Sequence, residues 1–197
     1  MKDDFASLFA FNRWANAKML DACRKLTPEQ YTAEPVPGWS SVRFTVYHIA
    51  VVTDGWLRAL ADDPNQNFPT EEEVPTPDDA GRILDRAYGT LDSLVPTLTP
   101  ELLATPRTFS ILDRGYRTLE SLLPTLTPEL DRGYCILDRA YHTLESLRLP
   151  PWVVLWHVVN HTTYHRGQVA SKLKRFGVQQ PETDLVFWAL EQVPQQA

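Results

Sequence analysis

Residues 151–177 read PWVVLWHVVNHTTYHRGQVASKLKRFG, and this stretch decides the fold. Val154, Val158, Val169, Leu173 and Phe176 recur at the spacing of one face of an α-helix. Pro150-Pro151 suits a helix start, and Gly177 suits the residue just past a helix end, with Lys172, Lys174 and Arg175 against the C-terminal dipole. The spacing therefore predicts one helix from about Pro151 to Phe176. Three of the chain's five histidines, His157, His161 and His165, fall on it at four-residue intervals. Residues four apart on a helix lie one turn above each other. His161, His165 and Gln168 lie inside the apolar stripe, so polar nitrogens face the interior, where they need partners.

Those partners are a metal ion or one another. Neutral imidazole is a common metal ligand, and metal sites in helix bundles are built from facing helices. A stripe of histidines packed and hydrogen-bonded without metal is the competing reading. His48, on an apolar helix roughly a hundred residues earlier, stands at a height from which it supplies a third nitrogen. Three imidazoles with one open position describe a catalytic type of zinc site, and nitrogen ligation also suits nickel. Cys23 and Cys135 are too few and too scattered for a thiolate site. His157, which drifts round the helix from the other two, reads as a supporting residue, and Gln168 reads as one that orients a ligand or bound water. Asn160, Tyr164 and Arg166 read as surface or packing groups.

Working outward, Phe5, Leu8, Phe9, Ala15, Met19 and Cys23 predict a first helix over Asp3 to about Lys25. Asn12 falls in its stripe and reads as a buried amide satisfied by a neighbouring helix. Thr27-Pro28-Glu29 predicts a short capped turn. Ser40 or Ser41 caps a helix to about Asp62, with Val42, Val46, Ile49, Trp56, Leu57 and Leu60 inward and Asp54 read as solvated surface. A polar, proline-rich connection over 65–77 follows, and a further helix over Asp78 to Leu94. A short last helix spans about Thr183 to Gln192. No strand pattern of any length appears. The expected fold is all-α: one domain over 1–197, an up-and-down four-helix bundle with a short C-terminal fifth helix and an inserted, duplicated helical segment.

That segment is internal to the chain. Residues 83–102 read ILDRAYGTLDSLVPTLTPEL, and residues 111–130 read ILDRGYRTLESLLPTLTPEL, differing at four positions. A shorter third copy, ILDRAYHTLESL, occupies 136–147. Such identity signals duplication, and the unequal spacing of 28 and then 25 residues speaks against a regular solenoid. Each copy is an amphipathic helix that must bury its Ile/Leu/Tyr stripe, along the bundle or against a second subunit.

Composition bounds the function. The 197 residues carry a net charge of −6, so there is no electrostatic footprint for nucleic acid or an anionic membrane. The N-terminus lacks the apolar core of a signal peptide, and no apolar run approaches the roughly 20 residues that span a bilayer. A cytoplasmic protein is expected.

The pattern His161-x-x-x-His165-Arg166-Gly167-Gln168 on a late helix, His48 within Tyr47-His48-Ile49-Ala50, and the opening Phe11-Asn12-Arg13-Trp14-Ala15-Asn16 together resemble the DinB-like family of DNA-damage-inducible proteins. The resemblance covers residues 1 to about 107 and 149 to 192, and the copies at about 109–148 depart from it. It implies a four-helix bundle, a homodimer, and a divalent metal, zinc or nickel, on His48, His161 and His165. Metal-dependent thiol transferases with a low-molecular-weight thiol substrate occur in the wider superfamily, so a thiol S-transferase or hydrolase is the first expectation. A non-catalytic metal-binding bundle, or an assembly module built on the repeated helices, is the alternative.

Overall fold

A computed structural model describes residues 2–63, 65, 67–109 and 147–193. Seven helices appear among them: α1 (Lys2–Cys23), α2 (Pro28–Thr32), α3 (Val42–Leu60), α4 (Pro77–Leu94), α5 (Pro100–Ala104), α6 (Pro151–Arg175) and α7 (Leu185–Gln192). Each main start has a sequence cause. Thr27 and Gln30 form a reciprocal capping box ahead of Pro28, and Thr76 and Asp79 do the same ahead of Pro77. The Ser41 hydroxyl accepts the Phe44 amide at 3.0 Å. α6 ends at Gly177, whose φ of 75° is the left-handed conformation that favours glycine.

The all-α reading holds, with α1, α3, α4 and α6 packed around one core. Phe9, Met19, Ile49, Leu57, Leu91, Leu155 and Leu173 fill it, all almost fully buried. Burial of this apolar surface is the main favourable term for a bundle of this size.

Paired residues fix the helix directions. Phe5 meets Trp156 and Asn12 meets Thr162, so α1 runs parallel to α6. Arg24 meets Asp78 and Arg13 meets Asp92, so α1 and α4 are antiparallel. Thr45 meets Lys172 and Trp56 meets His157, so α3 and α6 are antiparallel. It follows that α3 and α4 run the same way, and the bundle departs from strict up-and-down alternation at that one connection. Residues 61–76 return along α3 to its starting end, where Glu71 pairs with Arg43 at 2.8 Å, so α4 starts beside the start of α3.

A two-stranded antiparallel ladder is the second departure. β1 (Arg107–Phe109) pairs with β2 (Leu147–Leu149), Arg107 opposite Leu149. Phe109 is buried there, with its ring 6.4 Å from that of Trp56. Three-residue strands are too short to leave an alternating pattern in the sequence. The second copy and the third through Ser146, with His142 and Cys135, lie outside the described residues.

Candidate metal centre

α3 and α6 bring His48, His161 and His165 together. Nε2 of His48 and Nε2 of His165 each lie 3.1 Å from Nε2 of His161. All three nitrogens fall within 4.8 Å of one another. The sequence spacing explains the α6 pair, one turn apart on the face turned to α3. The third residue arrives because antiparallel packing sets the middle of α3 against the same turn. His48 is 6% exposed, and the other two are partly exposed.

The geometry meets the demands of a four-coordinate ion. Zinc–nitrogen bonds of about 2.0–2.1 Å at tetrahedral angles place ligand nitrogens roughly 3.3–3.4 Å apart, close to the two spacings seen. Protonation state agrees. Burial, with the neighbouring rings adding to it, pushes His48 down to about 3 and His161 to about 2, and burial also lowers His165. Neutral imidazoles offer lone pairs, and three converging lone pairs repel unless a cation or a proton sits between them.

Gln168 settles one tautomer. Its Oε1 lies 2.8 Å from Nδ1 of His165, and an amide oxygen only accepts. The proton is therefore on Nδ1, and Nε2 keeps its lone pair for the cluster, the usual arrangement behind a metal-bound histidine. His161 has no such support: its Nδ1 is buried without a hydrogen-bond partner. His157 stands a turn away, its ring 5.4 Å from that of His161 and 5.3 Å from Trp56. Nε2 of His157 is also buried without a partner, so it packs against His161 and donates nothing to it. The Phe44 ring lies stacked 6.3 Å from His48, and Tyr164, 60% exposed, stands edge-on to His165. Cys23 is buried in the core with its thiol pushed up to about 12 by burial, so it is neither a ligand nor a ready nucleophile.

The surrounding residues sharpen the sequence reading. Of the surface and packing readings of Arg166, its 3% exposure selects packing. Its Nη1 donates to Asn12 Oδ1 (2.7 Å), Asn16 Oδ1 (3.0 Å) and Thr162 Oγ1 (3.3 Å), and its Nη2 donates to Thr163 Oγ1 (2.7 Å). Asn16 in turn donates to the Tyr88 hydroxyl at 2.7 Å. Among the described residues no carboxylate joins this network, and burial lowers the guanidinium to about 10. Asn12 is the buried amide that its place in the stripe implied. The network ties α6 to α1 and α4 on one face while the other face presents His161 and His165. Asp54 corrects the reading of a solvated surface carboxylate: fully buried, it accepts Arg86 through both oxygens (3.1 and 2.7 Å) and Arg58 at 3.2 Å. It faces α4 and lies outside the histidine cluster. Lys172, two turns beyond His165, is the helix-end charge that the sequence predicts. It is buried, donates to Ser40 Oγ (2.8 Å), the Ser41 carbonyl and Thr45 Oγ1, and is lowered to about 8.

Comparison with known proteins places these observations in a family. The model of the DinB superfamily matches residues 12–134, and that of the DinB family matches residues 135–196. A solved structure, a DinB-like protein from Bacillus cereus ATCC 10987, superposes with a TM-score of 0.60 at 16% identity. The alignment covers 91% of this chain and 95% of that one, a likeness of fold. No curated protein matches the chain. No helix among the described residues is long and apolar enough to cross a membrane.

Proposed function

The chain belongs to the DinB superfamily, and we propose that it is a divalent-metal-dependent enzyme whose ion is held by Nε2 of His48, His161 and His165. The observation that carries this reading is the convergence of those three nitrogens, with His165 fixed in the metal-binding tautomer by Gln168. Zinc and nickel are the ions that three imidazoles suit, and such an ion lowers the pKa of a bound thiol or water.

The chain's own residues define what the site does. Three neutral ligands leave the ion its full positive charge, which favours an anionic ligand such as a thiolate. His161 and His165 are partly exposed, so a small molecule reaches them without local unfolding. Buried Lys172, beyond Gln168 on the same face, adds positive potential: it is one of the charges that lower His48 and His165. Among the described residues no carboxylate joins the three histidines, and the reaction class favoured is thiol transfer to an activated acceptor, with hydrolysis second. A low-molecular-weight thiol is the substrate class, and a homodimer in the cytoplasm the setting.

A screen of low-molecular-weight thiols against electrophilic acceptors, with protein loaded separately with zinc and with nickel, tests this reading. Turnover that disappears in His48→Ala and His161→Ala supports it; turnover unchanged in those variants refutes it. A second reading draws on the ligands coming from two helices: the ion ties α3 to α6 and catalyses nothing. That reading expects a large loss of thermal stability on chelation and no turnover of any thiol.

A further inference from the structure

Lys172 is a buried lysine that no carboxylate pairs with among the described residues. Its Nζ meets three oxygens: Ser40 Oγ at 2.8 Å, the Ser41 carbonyl at 3.3 Å, and Thr45 Oγ1. The hydrogens around it can be counted. A carbonyl only accepts, so Nζ gives one hydrogen to Ser41. Thr45 gives its own hydroxyl hydrogen to the same carbonyl at 3.1 Å, so its oxygen accepts a second hydrogen from Nζ. The third direction of Nζ faces Ser40 Oγ. An ammonium fills that direction with a hydrogen, and a neutral amine fills it with a lone pair that takes the hydrogen of the serine. Either form satisfies every partner. Burial favours the neutral one, lowering the lysine from its ordinary 10.5 to about 8. The titratable groups that face it, His48 on α3 and His165 on its own helix, are themselves held neutral chiefly by burial.

We infer that Ser40 and Lys172 form a second catalytic site, a serine nucleophile with a lysine base, that hydrolyses small esters with an apolar acyl group. The site works without metal. Ser40 is partly exposed, just ahead of the Ser41 cap of α3, while the base lies behind it out of water. The Ser41 carbonyl and Thr45 Oγ1 hold Nζ towards the serine, as a third group orients the base in other nucleophile–base pairs. The positive end of α3 lies beside Ser40, where the ester oxygen gains negative charge. Trp39, 38% exposed, offers an apolar surface to the acyl group. In the reaction the Ser40 oxygen bonds to the ester carbon as its hydrogen passes to Lys172 Nζ. The alcohol leaves with the C–O electron pair and takes that proton, which leaves an acyl-serine. Water then attacks the same carbon and gives a proton to Nζ, and the Ser40 oxygen departs and regains it. Ester and water become acid and alcohol, with no electrons gained or lost.

The test uses the full chain stripped of metal with EDTA, an alkyl fluorophosphonate as covalent probe and p-nitrophenyl butyrate as ester. The probe is expected to form an adduct with loss of fluoride, which peptide mass spectrometry places on Ser40. Ester hydrolysis is expected to fall about 100-fold or more in Ser40→Ala and in Lys172→Met, the usual loss when an acid–base group is removed. Lys172→Arg keeps a cation and its donors but cannot take up a proton, and is expected to fall equally. Circular dichroism checks that each variant is folded. Absence of a Ser40 adduct in the parent overturns the inference. Labelling at the parent's rate in Lys172→Arg overturns it too, because the lysine then serves only as a cation. Ester turnover unchanged in Ser40→Ala, a change at a partly exposed position, overturns it even where a lysine variant fails to fold. A reaction that needs added zinc or nickel assigns the activation to the histidine centre and also overturns it.

Discussion

Nε2 of His48 and Nε2 of His161 lie 3.1 Å apart, although 113 positions separate the two residues in the chain. Nothing local brings them together. The approach depends on α6 being rotated correctly about its axis, and that rotation is held from the opposite face by Arg166 on Asn12 and Asn16.

Arg166→Ala is therefore expected to act at a distance. It leaves the two asparagine oxygens of α1 with fewer donors in a buried setting, at about 1–3 kcal/mol for each group left unpaired. The destabilisation, read from urea melts of metal-free protein, should be about 3 kcal/mol, and metal affinity should fall with it. Urea midpoints unchanged from the parent would show that the network holds nothing.

Gln168→Ala removes the acceptor that holds the His165 proton on Nδ1. Metal affinity should fall about 10–100-fold, the usual cost of losing such a supporting bond. Competition with a chromophoric chelator measures it, and the metal-free melting temperature should scarcely move.

Asp54→Ala leaves buried Arg58 with Asp63 as its one remaining carboxylate partner among the described residues and releases Arg86. Removing one partner from a buried ion pair costs about 3–5 kcal/mol. The lower end is expected because Arg86 is half exposed and its share is screened by solvent. Asp54→Asn, which keeps the shape and some acceptor capacity, should recover part of the loss. An alanine variant as stable as the parent would contradict the buried placement.

Acid should weaken the metal-free fold through the histidines. His48, His161, His157 and His165 all have folded pKa values lowered, chiefly by burial. Below the unfolded value of about 6.5 the unfolded chain binds protons that the folded chain refuses, so stability falls as pH falls. The loss should begin near pH 6.5 and continue through about pH 3, where His48 titrates, to about pH 2, where His161 does. Denaturant melts across that window check the sign; stability rising towards pH 4 would contradict it.

The histidine cluster was legible because periodicity alone set His161 and His165 one turn apart on an inward face, and His48 was the remaining histidine in an apolar helix. Arg166 and Asp54 were not, because a charge on a helix normally faces water. A signal for Arg166 did exist. Asn12 and Asn16 lie one turn apart on α1 and need a donor, and an arginine can serve both amide oxygens at once. The parallel course of α3 and α4 was hidden in the length of the 61–76 connection, longer than an antiparallel turn requires. The ladder of β1 and β2 left no pattern, since its pairing joins residues some forty positions apart.

The central claim is that three imidazoles hold one ion. Elemental analysis of protein purified from cells supplied separately with zinc and with nickel measures it directly. About one ion per chain is expected, falling to background in a His48→Ala/His161→Ala/His165→Ala variant that remains helical by circular dichroism. Metal below about one-tenth per chain in the parent, or equal occupancy in the triple variant, would contradict the account.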